Sequence, residues 1–173
     1  MTSGDVESGL AAFTMTLLCR GDRFLMLKRA PDKAFAPERW TGIGGRVEPG
    51  EFDDIAASAL REISEETGYQ ASEIQNLSLR RTLLQQRPQH PVTVLFYFTA
   101  EVQAMKSPET SEGTLHWLTQ AELDEIDIIE NTRLVIPELI ADLERDARGA
   151  VGPVSGAAAY SQDGKLRSIV WAD

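Results

Sequence analysis

Glu62, Glu65 and Glu66 stand at i, i+3 and i+4 in a stretch whose apolar residues recur at helical spacing, so their carboxylates project from one face. Like charges so close repel, and the negative end of a helix adds to the repulsion. A solvated acidic face tolerates this, and so does a site for a hard, oxygen-seeking cation such as Mg²⁺ or Mn²⁺. Just upstream lie Gly44 and Gly45. Without side chains, they let backbone approach closely enough for a carbonyl to face the same ion. A cation held there would suit a small phosphorylated substrate, whose negative charge it would balance.

The elements that must position these groups follow from apolar periodicity. Ala11–Cys19 and Phe24–Leu27 predict a β-hairpin about Gly21-Asp22. A loop over Pro31–Arg39 leads to Gly-rich extended chain, Trp40–Val47. Phe52–Thr67 predicts a helix, with Ile55, Ala56, Ala59, Leu60 and Ile63 on its apolar side and Gly68 as a left-handed cap. Leu77–Leu84 and Val92–Val102 predict strands joined by a turn over Arg87–Pro91, followed by a polar loop at Ser107–Gly113. A short strand, Leu115–Leu118, and a short helix, Ala121–Ile126, come next. Asn131–Arg145 has helical spacing, and Pro137 should start or kink its regular part. Ala157–Trp171 predicts a closing hairpin about Asp163-Gly164. The order of elements implies a mixed α/β domain spanning 1–173, with a flexible start at 1–9.

The 173 residues suffice for one buried core, and 42% apolar with 25% charged residues is ordinary for a globular chain. A formal charge of −10 argues against sequence-independent binding to duplex nucleic acid, which depends on Lys and Arg neutralising phosphates. Cys19 is the only cysteine, so no intrachain disulfide and no Cys-based zinc site is expected. The polar start at Met1–Gly9 is unlike a signal peptide. The apolar run Leu10–Cys19 falls short of the roughly 20 residues a membrane span needs. A cytoplasmic setting without membrane attachment is expected. The oligomeric state is left open, a homodimer among the options.

The segment from Gly45 to Tyr69 resembles the signature of the Nudix hydrolases, G-x5-E-x7-R-E-U-x-E-E-x-G-U, where U is apolar. Gly45, Glu51, Arg61, Glu62, Ile63, Glu65, Glu66, Gly68 and Tyr69 supply its fixed positions. The likeness extends to Ala11–Leu27 with Lys28-Arg29 before it, and to Leu115–Leu118 leading to Glu122-Leu123 after it, and so covers most of the chain. It implies an α/β/α sandwich with a mixed β-sheet and a loop–helix–loop motif across one end. It implies Mg²⁺ (or Mn²⁺) held by the Gly44 carbonyl with Glu65 and Glu66, and Glu62 as metal ligand or general base. A further acid from a distant loop is expected, and Glu112 is the choice, as ligand or alternative base. Such a site would neutralise phosphate charge and activate a water for in-line substitution.

One departure stands out. Nine residues separate Glu51 from Arg61, where the family has seven. Glu51 keeps its distance from Gly45 while Asp53 keeps its distance from Arg61, so either acid is a candidate partner for Arg61.

Arg39-Trp40-Thr41-Gly42-Ile43-Gly44-Gly45-Arg46 resembles the W-N-G-x-G-G pattern of Nudix enzymes that hydrolyse oxidised purine nucleotides, with Thr41 replacing the usual Asn. Asn131 matches the position from which relatives hydrogen-bond a purine, and its amide both donates and accepts. At a helix start it would otherwise serve as a cap. Tyr160 lies in a closing hairpin like that of the same subgroup. Trp40 is a candidate for stacking on a base, or for core packing. Arg46 is the best-placed cation for phosphates, ahead of Arg23, Lys28 and Arg29, and His90 and His116 read as structural. The expected substrate is a small nucleotide, a purine nucleoside triphosphate, normal or oxidised, cleaved to monophosphate and pyrophosphate. ADP-ribose or a nucleotide sugar is the alternative substrate. A nucleotide-binding module without catalysis is a further alternative, favoured only by the two-residue insertion.

Overall fold

The first apolar run forms β1 (Leu10–Arg20), which reverses at Gly21 and returns as antiparallel β2 (Arg23–Arg29). Gly21 adopts φ 60° in this tight turn, a conformation that costs glycine little. A computed structural model describes residues 9–172; the polar start read at Met1–Gly9 lies outside these, except for Gly9. Seven further strands follow: β3 (Trp40–Thr41), β4 (Ile74–Gln85), β5 (Val92–Val102), β6 (Glu109–Thr110), β7 (Gly113–Thr119), β8 (Val154–Tyr160) and β9 (Leu166–Trp171). They join one sheet in the order β6-β7-β2-β1-β5-β4-β8-β9, with β3 paired to β2. β1 runs parallel to β5 and β4 parallel to β8, whereas the other neighbours are antiparallel, so the sheet is mixed.

Each face of the sheet is covered by a helix because β1, β2 and β5 are apolar on both sides. On one face α1 (Ile55–Thr67) buries Ile63 against Leu18, Leu25, Leu27, Ile43 and Ala100, with Tyr69 just beyond its end. On the other, α3 (Glu130–Arg145) buries Val135, Ile136, Leu139 and Ile140 against Met15, Leu17, Met26, Leu83 and Tyr97. The short α2 (Gln120–Asp124) joins β7 to α3, closed by a capping box between Thr119 and Glu122. The expected α/β/α sandwich is therefore present. No helix among the described residues is long and apolar enough to cross a membrane.

Two helix boundaries depart from expectation. α1 begins at Ile55 rather than at Phe52, because the Asp54 side chain accepts from Ala57 N–H at 3.0 Å and sets the first turn there. Its end is as expected, with Gly68 at φ 73° donating its N–H to Ser64 O. α3 runs from Glu130 unbroken through Pro137, which neither starts nor ends it. The missing N–H removes one helical bond, but buried Val135 and Ile136 before the proline and Leu139 and Ile140 after it hold both turns on the core.

Arg81 ties three elements together. Its guanidinium donates to both Asp142 oxygens at 2.8 and 2.9 Å, reaches Glu138 at 3.0 Å and lies 4.9 Å from the centre of the Trp171 ring. Arg81 and Asp142 are both buried. Removing one partner would leave an uncompensated buried charge. Asp142→Ala should lower the unfolding free energy by about 3 kcal/mol in urea titrations. Arg145→Ala, which removes an exposed partner of the same aspartate, should cost about 0.5 kcal/mol. Equal losses would contradict this ranking.

Candidate active site

The Gly-rich stretch after β3 runs alongside β1. Thr16 N–H donates to Ile43 O at 2.6 Å and Thr14 N–H to Gly45 O at 2.8 Å. The carbonyl between them, that of Gly44, has no backbone partner among the described residues. Both glycines lie where another segment approaches closely, and at Gly44 that segment is backbone. A Cβ at Gly44, whose φ is 154°, would strike the Thr14 carbonyl, and one at Gly45 would strike the Glu62 carboxylate. α1 thus lays its acidic face directly on this backbone, and Gly44 N–H donates to Glu66 Oε2 at 2.9 Å.

Arg61 holds the remaining acids. Its Nε and Nη2 meet Glu51 at 2.7 and 3.0 Å, and its Nη1 meets Glu62 at 2.8 Å and Glu65 at 3.0 Å. Nη2 also donates to Arg46 O at 3.0 Å. Glu51 therefore partners Arg61, and Asp53 does not. The two extra residues are taken up in the turn before Asp54, so the acid that keeps its distance from Gly45 can fold back on the helix. Glu51 also accepts from Glu48 N–H at 2.8 Å. The bond from Arg61, then that from Glu48, draws its carboxyl down to about 2.

The other acids are pushed the opposite way. Burial raises Glu62 above the usual carboxylate range, with Glu65 and Glu51 adding repulsion and Arg61 opposing it. Burial raises Glu66 to about 8, against the Gly44 N–H bond, and the charges of Glu62 and Glu112 push the same way. Glu112 comes from the β6–β7 turn, where Lys33 holds it at 2.7 Å. Its backbone carbonyl accepts from Ala30 N–H at 2.9 Å.

These groups line a cleft of about 870 Å³ that contains Gly44, Gly45, Arg46, Arg61, Glu62, Glu65, Glu66 and Glu112. Asn131 and Thr41 line it too. Asn131 is not the helix cap; that position belongs to Ile129, and the Asn131 oxygen accepts from Thr132 N–H at 2.9 Å. Trp40 is not among the residues that line the cleft and packs against the core on the α3 side of the sheet. Its N–H and carbonyl are bonded to Asp127 O and Ile129 N, and its ring meets His116 edge-on at 5.1 Å. Arg29 lines the cleft, whereas Lys28 does not and Arg23 lies 3.7 Å from Glu122. His90 lies on the cleft wall.

The structure adds residues that sequence reasoning passed over. Phe35, from the β2–β3 loop, carries the Arg29 guanidinium 5.9 Å from its ring centre and that of Arg87 at 5.5 Å. Arg87 lies equally close to Tyr160. Gln85 and Tyr97 also line the cleft, and Tyr160 OH donates to Gln85 Oε1 at 2.7 Å. A Phe in a polar loop beside two prolines was the one local signal available for Phe35. The others owe their place to pairing between distant strands.

The donor chemistry suits a hard divalent cation: carboxylates, a carbonyl free of backbone bonds, and two glutamates whose charged forms are penalised by burial and by each other. Among the described residues, no three His, Cys, Asp or Glu side chains are already gathered to hold a metal. Arg61 engages Glu62 and Glu65 instead, and so supplies the compensating positive charge.

Residues 10–139 match the NUDIX domain family. The mutator MutT protein from Bacillus halodurans superposes with a TM-score of 0.68 at 21% identity, over 93% of this chain and 97% of that one. An Ap4A hydrolase from C. elegans gives 0.58 at 20% identity, over 78% of this chain and 99% of that one. The NUDIX domain of Shewanella oneidensis NrtR complexed with ADP ribose gives 0.59 at 16% identity, over 79% and 88%. No curated protein matches the chain in sequence.

The Glu51–Arg61 geometry makes a direct prediction. Glu51→Ala should lower the thermal unfolding midpoint and speed amide exchange in the loop 45–51, because Arg61 loses its two-point partner. Asp53→Ala, which removes an exposed side chain, should leave both unchanged. The reverse pattern would assign the pairing to Asp53.

Proposed function

The chain belongs to the NUDIX domain family, and from that premise we propose that it is a divalent-metal-dependent hydrolase of nucleoside triphosphates, acting on purine substrates, normal or oxidised. The reading rests on one observation: the matched acidic helix and Asn131 face the same cleft. A nucleotide has a polyanionic end and a hydrogen-bonding heterocycle, and the cleft has counterparts for both.

In this reading Gly44, Glu65 and Glu66, with Glu112 from across the cleft, hold Mg²⁺ or Mn²⁺. When bound, the ion supplies charge neutralisation to the phosphates and lowers the pKa of water. The protein's own groups do the rest. Arg46, exposed beside the glycines, and Arg29 at the end of β2 meet phosphate oxygens. Glu62 takes the proton of the attacking water; its burial makes it a stronger base than an ordinary carboxylate. Arg61, locked by Glu51, positions Glu62 and touches no substrate. Water adds to the α- or β-phosphorus and that phosphorus's bond to the α,β-bridging oxygen breaks, giving nucleoside monophosphate and pyrophosphate.

Fold neighbours with different ligands leave the choice of substrate to the lining of this cleft. Asn131 and the neutral groups near it favour a base-reading enzyme over one selective for a sugar. The two-residue insertion, the one feature that pointed to an inert module, sits in a turn before Asp54 and leaves the Arg61–Glu66 segment helical.

With Mg²⁺, the protein should release pyrophosphate from purine nucleoside triphosphates faster than it cleaves ADP-ribose or nucleotide sugars. Glu62→Gln should lower kcat by roughly 10²- to 10⁴-fold while leaving the circular dichroism spectrum unchanged. Faster cleavage of ADP-ribose would keep the chemistry and reverse the substrate assignment. Wild-type turnover in Glu62→Gln would remove the base assignment, and no metal-dependent turnover of any diphosphate would favour the binding module.

A further inference from the structure

Tyr97 is completely buried on β5, yet its hydroxyl has no hydrogen-bond partner among the described residues. Such groups are rare, because a hydroxyl removed from water without a partner is destabilising. The side chain lines the cleft together with Thr93 and Leu95, its alternate neighbours on the same strand face. Opposite it in register on β1 is Met15, which lines the cleft as well, and Asn131 and Thr132 enter from α3. A second hydroxyl in this lining, that of Thr14, is also buried and unpartnered. The Tyr97 ring packs with Met15, Leu83 and Leu139, a task phenylalanine would perform equally well. Packing therefore does not account for the oxygen.

We propose that the Tyr97 hydroxyl determines base specificity, hydrogen-bonding the polar edge of the substrate's purine between the apolar surfaces of Met15 and Leu95. Burial, with the nearby Tyr160 adding to it, keeps the phenol protonated well above its ordinary range, so the hydroxyl both donates and accepts. Asn131 supplies an amide to the same ligand. A purine without exocyclic groups keeps only ring-nitrogen acceptors and lacks guanine's O6 and its N–H donors, and a site built to hydrogen-bond those groups discriminates against such an analogue.

This rests on the nucleotide reading above, so the test uses binding and leaves turnover as a separate measurement. Calorimetry with Mg²⁺ and the α,β-imido triphosphates of guanosine and of unsubstituted purine riboside compares wild type with Tyr97→Phe. The wild type should favour the guanosine analogue roughly tenfold, and Tyr97→Phe should bring the two affinities together by weakening only the guanosine analogue. The unfolding midpoint of ligand-free Tyr97→Phe should equal or exceed that of wild type, since the lost hydroxyl bonded nothing. An unchanged ratio, equal weakening of both analogues, no wild-type preference or binding, or a clear fall in midpoint would each overturn the proposal. If the ratio collapses but neither normal nor oxidised triphosphates are hydrolysed, the hydrolase reading fails and the role of Tyr97 stands.

Discussion

Arg61 touches Glu51, Glu62 and Glu65, three carboxylates from α1 and the loop before it, and the geometry of the site depends on that contact. Two carboxylates about 4 Å apart near a protein surface repel by roughly 4 kcal/mol, which is comparable to a large part of a domain's stability. With Glu62 half-buried against Gly45 and Glu65 one turn on, the helix would shed that load by fraying. The guanidinium avoids this because its planar fork meets Glu51 with two nitrogens and still offers a third to Glu62 and Glu65. Lysine, with a single charged nitrogen, could not bridge the same set.

The bridge also fixes the loop to the helix. Arg61 takes the Arg46 carbonyl, and Glu51 takes the Glu48 N–H, so the segment between the glycines and α1 is closed at both ends. The opposite side of α1 is held by Ile63 in the core beneath the sheet. The acidic face consequently has little freedom to relax away from the glycines. A cation entering the site would compete with Arg61 for Glu62 and Glu65.

What could be read from the chain beforehand was what is local in it. Glu62, Glu65 and Glu66 share a helix face by spacing alone, and the glycine pair announces close backbone approach, so the acidic wall of the cleft was legible. The hairpin of β1 and β2, the strands β4 and β5 and the Gly68 cap were legible for the same reason. Long-range pairings were not. Lys33 and Glu112 are 79 residues apart and meet only because β2 pairs with β7. Tyr97 reads as one more apolar strand residue until the parallel pairing of β1 with β5 shows which face of β5 opens on the cleft. Trp40 illustrates the converse: a suggestive residue beside a motif, drawn off by backbone bonds to the segment before α3. The partner of Arg61 was ambiguous because sequence counts residues, whereas the turn before Asp54 shortens the path between them.

The cleft of this acidic molecule is lined by charges of both signs. A chain with net charge −10 repels a polyphosphate at long range, yet Arg29, Arg46 and Arg87 line the cleft itself. At physiological ionic strength, interactions between exposed charges fade over about 8 Å, so a ligand at the mouth responds to these cations and to the cleft's own glutamates rather than to acids elsewhere on the surface. Phe35 steadies two of the cations, offering its ring to Arg29 and to Arg87. Beyond them, Tyr97, Thr93, Leu95 and Gln85 make the lining neutral. A ligand that carries all its charge at one end and a flat, uncharged ring at the other satisfies both regions together. A free polyphosphate or a free base satisfies only one.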